Sequence, residues 1–169
     1  MSIAWHAIRD HLAGSSSKLH FQRSFDAIRR TQAALAPFRD PAALLDGLHR
    51  TPGDQGQKNL ILAALVRAAQ GGRPASDCAL SVLLLALWPG LDAVRGRCLR
   101  RGVGSCDGIA SELLARTTEQ LRTIDLSRVN RIAATVLRNV ERDLLRAARR
   151  ETARQQSCAS LEPDWLEAP

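Results

Sequence analysis

The stretch Leu137-Arg-Asn-Val-Glu-Arg-Asp-Leu-Leu-Arg-Ala-Ala-Arg-Arg150 decides how this chain folds. In it and just before it, Val129, Ile132, Ala133, Val136, Leu137, Val140, Leu144, Leu145 and Ala148 recur at intervals of three and four. That spacing places apolar side chains on one face of a helix. Arg128, Arg131, Arg138, Arg142, Arg146, Arg149 and Arg150 fall largely off this spine, accompanied only by the acids Glu141 and Asp143. A surface helix needs a polar back, but not seven arginines against two acids. The excess suits an anionic partner, with nucleic acid foremost. A plain solvated surface in a protein from a GC-rich genome would carry the same arginines, so both readings stay open.

The imbalance is local. The chain of 169 residues has a formal net charge of +7, and between Arg95 and Arg154 fourteen arginines face seven acids, which accounts for the whole excess. Only Lys18 and Lys58 are lysines. Arginine favours bidentate contact with phosphate. Cys78, Cys98, Cys106 and Cys158 show no paired metal-ligand spacing, which reads as reduced thiols in a cytoplasmic protein. Met1 to Asp10 has neither a basic start nor a long apolar run, so no secretory leader is expected. The most apolar stretch, Ala79 to Trp88, is too short to span a bilayer. The length suits one domain, or one domain with an appendage.

Outward from the arginine helix, the chain reads as all-α, a multi-helix bundle. Tyr is absent and no stretch alternates with period two. Helices are expected over Ile3–Leu12 and Lys18–Ala36, the second with Leu19, Phe25, Ile28 and Leu35 inward. Pro41–His49 follows, capped by Asp40, and then Gln57–Gln70 after a turn at 51–56. A long helix should run from Ser76 or Asp77 to Arg101, with a kink or break near Trp88 caused by Pro89. After the Gly102–Cys106 loop come a helix over Asp107–Arg122 and the arginine helix, begun by Asp125 or Ser127 and fading after Arg154. Residues 1–75 form an N-terminal helical region, 76–154 a second helical domain, and 155–169 a tail whose Leu161, Trp165 and Leu166 suit docking on a partner.

The order from Asp77 onward resembles region 2 of the sigma-70 family, particularly the extracytoplasmic-function type. Members carry Ile-Ala-Arg-Asn, three residues, Asp, one residue, Leu-Arg-Arg. Here Val136-Leu137-Arg138-Asn139 is followed by Asp143, Leu145 and Arg146. Asp107-Gly-Ile-Ala-Ser-Glu112 is similar to the run that opens the family's polymerase-binding helix, with Glu112 displaced by one position. Ala79–Arg101, through Leu87-Trp88-Pro89, is similar to the helix before it. The resemblance covers about 75 residues. It implies a transcription regulator that docks on core RNA polymerase through Asp107, Glu112 and Arg116. Arg131, Arg138, Arg142, Arg146, Arg149 and Arg150 would then meet promoter backbone, with Asn139 at a base edge.

Two departures shape that implication. No helix-turn-helix follows residue 154, and Arg122–Arg131 contains no aromatic residue to stack with bases expelled from a duplex. A short sigma-like protein of this kind resembles the transcription activators of gene transfer agents and prophage-like elements, which act with a separate DNA-binding partner. The rival reading is a helical scaffold or adaptor whose arginine face binds an acidic protein.

No chemistry of an enzyme is expected. Gly53-Asp-Gln-Gly-Gln-Lys58 has a passing likeness to a phosphate-binding loop but reads as a turn, because the full spacing and a preceding strand are missing. His6, His11, His20 and His49 are scattered, so no metal, cofactor or catalytic grouping is expected. Asp107 and Glu112 also suit a helix start through its dipole alone.

Overall fold

The computed structural model describes residues 3–50 and 53–159, and within them the fold is all-α. In chain order the helices are α1 (Ile3–Ser16), α2 (Leu19–Thr31), α3 (Pro41–His49), α4 (Gln55–Ala69), α5 (Ala75–Arg100), α6 (Cys106–Thr123) and α7 (Ile132–Ala159). Leu161, Trp165 and Leu166 lie outside the described residues.

α5 is the hub. It carries apolar side chains on every side, as a helix surrounded by protein must, and α1, α2, α3, α4, α6 and α7 all pack against it. Val82, Leu83, Leu91 and Val94 are fully enclosed. Its length and composition would allow a membrane crossing, but a little over half of its most apolar stretch is buried within the bundle. Pro89 does not break it. The helix runs unbroken through the proline, because the buried side chains of Leu87, Trp88 and Leu91 on either side hold both halves in place. Gly90 follows, and a Cβ there would overlap the Leu137 side chain of α7.

The N-terminal helices pack on this hub through α1 and α2. Trp5 is fully buried, stacks on Trp88 with ring centroids 4.2 Å apart, and donates its Nε1–H to Asp92 at 2.8 Å. The Arg95 guanidinium lies over Trp5 itself, 5.4 Å from its ring centre. On α2 the inward face is Phe21, Phe25 and Ile28. Leu19, expected inside, is 68% exposed. It stands two positions before Phe21, and on a helix that spacing turns it off the buried face. The second expected helix also ends early, at Thr31, with Leu35 reaching the core from a short 3-10 turn, Ala33–Leu35. The buried core is continuous from Trp5 to Leu144 and crosses residue 75 without a seam.

Local signals placed several ends well. Asp40 accepts a hydrogen bond from the Ala43 N–H at 2.7 Å, and Pro41 opens α3 as expected. Ser105 caps α6 through the Gly108 N–H. Asp54 caps α4, so the helix begins at Gln55 and absorbs the end of the expected turn. The N-terminal helix runs through Gly14 to Ser16. The largest shift is at α7. Asp125 accepts from Ser127 N–H and Oγ–H, closing a turn rather than starting a helix. α7 begins seven residues beyond Asp125, and its first N–H donates to Asn59 Oδ1 on α4 at 2.9 Å.

Candidate nucleic-acid interface

α7 meets the bundle along one narrow line. Ile132, Val136, Val140 and Leu144, each four residues apart, are buried, and Ala133, Leu137, Leu145 and Ala148 flank them half-buried. Val129 precedes the helix. Beyond Ala148 the core no longer reaches α7, and residues 149–158 are exposed.

The opposite side carries the arginines. At about 100° per residue, Arg138, Arg142, Arg146 and Arg149 fall within about 80° of arc and spread along roughly 16 Å of axis. All four are exposed. Among the described residues Arg138, Arg146 and Arg149 have no hydrogen-bond or salt-bridge partner in the structure, and Arg142 has only a long 3.4 Å contact with its neighbour Asp143. The helix's acids do not neutralise the stripe. Glu141 turns toward α5, where it accepts two hydrogen bonds from Arg97, both 2.8 Å, and lies 3.7 Å from Arg101. Those bonds hold the Glu141 carboxyl below its ordinary range and raise the Arg97 guanidinium above its own. Glu151 is occupied by Arg154.

Three expected members of the set stand apart. Arg150 is rotated by about 120° from Arg138. Arg131 lies just before α7, at a cleft of about 470 Å³ that it lines with Lys58, Asn59 and Asn130. Asn139 points toward α6, where its Nδ2 donates to Gln120 Oε1 at 3.4 Å. It is half-buried and does not join the stripe. Lys58 and Asn59 were missed by sequence reasoning, since only the tertiary pairing of α4 with α7 brings them to Arg131.

The expected polymerase-facing residues also divide. Glu112 and Arg116, one turn apart on α6, pair at 2.8 Å and line an open groove of about 390 Å³ with Leu144, Ala147 and Glu151 of α7. Asp107, exposed in the first turn of α6, is about 140° around the helix from Glu112. The three therefore occupy two sides of one helix.

Elsewhere among the described residues no reactive groups gather. Among the described residues no three His, Cys, Asp or Glu converge as metal ligands. The four cysteines are unbridged. Burial pushes the Cys78 thiol up to about 12, which keeps it protonated and inert. His49 reaches α5, its Nε2 lying 2.9 Å from the Ala86 carbonyl. Compared with protein-family models, curated proteins and solved structures, the chain matches none.

Proposed function

We propose that this protein is a cytoplasmic, non-enzymatic, sigma-like transcription regulator that acts as an activator. It binds core RNA polymerase through the 76–154 segment and promoter DNA through α7, with a separate DNA-binding protein supplying position. The observation that carries this reading is the exposed arginine stripe of α7, left unneutralised because Glu141 is spent on the core. Like charges one turn apart cost a helix about 0.2–0.5 kcal/mol per pair. Among the described residues no acid offsets that cost at Arg138, Arg146 or Arg149. A phosphate backbone would, and the stripe's roughly 16 Å matches about five phosphates of one strand.

Asn139, engaged with Gln120, supports contact with backbone over reading of bases. The same observation favours the second reading, a helical adaptor whose stripe meets an acidic protein, since that contact too needs charge without base edges.

Capture of core RNA polymerase separates the two readings. The wild-type chain should retain core enzyme, and charge reversal at Asp107 and Glu112 should weaken retention with helicity unchanged. Absence of capture by the wild type would end the sigma-like reading. Loss of helicity in the variant would show that these acids serve the α6 start. With core enzyme alone, permanganate should find no unpaired promoter thymines, because the linker before α7 offers no stacking aromatic. Open complexes without any second factor would contradict the need for a partner.

A further inference from the structure

The exposed end of α7 is not featureless. Where the core stops supporting it, an open groove of about 420 Å³ runs between α7 and the loop after α5. Its floor is Val103, Leu145 and Ala148, its outer wall is Thr152 and Ala153, and Arg101 and Arg149 stand at its rim. An apolar floor with two cations at its edge asks for a ligand that is apolar in the middle and acidic beside it. The chain itself contains that ligand. The sequence after α7 reads Leu161-Glu-Pro-Asp-Trp-Leu-Glu167, three acids around a Trp-Leu pair with no basic residue.

We propose that Leu161–Glu167 is the occupant of this groove, with Trp165 over the Val103–Ala148 floor and its acids against Arg101 and Arg149. Reach allows it. Returning from Ala159 to Arg149 covers about 15 Å along the helix, and the six residues from Ala159 to Trp165 extend to about 20 Å. Proline at 163 disfavours continuing the helix there and suits a chain that turns back. A tryptophan contributes about 150–250 Å² of contact, and the covalent link supplies a local concentration on the order of millimolar. A weak contact therefore suffices. A second copy is the poorer occupant, because two chains of net charge +7 repel when their basic faces meet. Arg149 belongs both to this groove and to the stripe. If the reading of α7 as a DNA surface holds, the seated segment competes with DNA and restrains it.

Acrylamide quenching of the full chain tests the seat without DNA. Trp5 and Trp88 are buried, and the difference between wild type and Trp165→Phe isolates Trp165. The expected result is a shielded Trp165 at every protein concentration, with its quenching slope rising about twofold in Arg149→Glu/Ala153→Glu. Both substituted side chains are exposed, so folding is not at stake. Free quenching in the wild type overturns the proposal, and so does shielding that the double variant leaves unchanged. Shielding that appears only at high concentration would place the segment on a second copy and overturn it equally. A second arm reads the consequence: Trp165→Ala/Leu166→Ala should tighten duplex DNA binding about three- to tenfold, the effect of freeing a surface open a tenth to a third of the time. Unchanged affinity would refute the competition. Absence of DNA binding by every form, with Trp165 still shielded, would fall on the DNA reading and leave the seat standing.

Discussion

Glu141 sits on the arginine helix and works for the core. Its carboxylate takes both Arg97 hydrogen bonds, and these, with the charges of Arg97 and Arg101, lower its pKa from the ordinary 4.5 against the opposing effect of its partial burial. A carboxyl depressed in the folded state stabilises the fold fully above its unfolded value, and the contribution fades as pH falls through the folded value. Glu141→Gln should therefore cost about 1 kcal/mol in urea unfolding at pH 7. The gap between variant and wild type should close below pH 4.5. A gap that persisted in acid would assign the loss to packing. Gly90 permits a second test at this scale. Alanine normally gains up to about 1 kcal/mol over glycine inside a helix, but a Cβ here would displace Leu137. Gly90→Ala should destabilise the wild type and stabilise a Leu137→Ala background, a sign reversal visible in thermal midpoints. The same sign in both would mean that α7 gives way freely.

At the scale of elements, α7 begins where α4 lets it. Asn59 accepts the first amide of α7, a cap supplied from 73 residues away in sequence. Asn59→Ala should cost about 1 kcal/mol, in the range of local caps, and hydrogen exchange should quicken most in the first turn of α7. Protection unchanged in that turn would deny Asn59 the capping role. This cap explains what the sequence could and could not disclose. The four-residue spacing of Ile132, Val136, Val140 and Leu144 named the helix and its buried side, and Asp40 fixed the start of α3. Asp125 looked like a start for α7 because its chemistry is identical in a cap and in a turn; only Asn59 decides. Pro89 suggested a kink or a break, and the helix does not break there, because local reading counts the missing N–H but not the packing around α5. For the site, the stripe of Arg138, Arg142, Arg146 and Arg149 was legible from spacing. The separation of Arg131, Arg150 and Asn139 from it, and of Asp107 from Glu112, was not, because it depends on where α7 starts and which neighbours it meets.

For the whole molecule, α5 joins both halves of the chain around one core, so the arginine stripe is presented by a fixed scaffold. The charge of that scaffold is one-sided by construction. Arg97 and Arg101 draw Glu141 inward, and the outer side of α7 is left basic. The proposed function requires that face to meet DNA phosphates. The most direct measurement is the salt dependence of duplex DNA affinity for the wild type and for Arg142→Ala/Arg146→Ala/Arg149→Ala. Each phosphate contact contributes a slope of about −0.9 log units per decade of salt. The triple variant should flatten the slope by about two to three units with helicity intact. An unchanged slope would contradict the proposed function and move the stripe to a protein partner or to plain solvation.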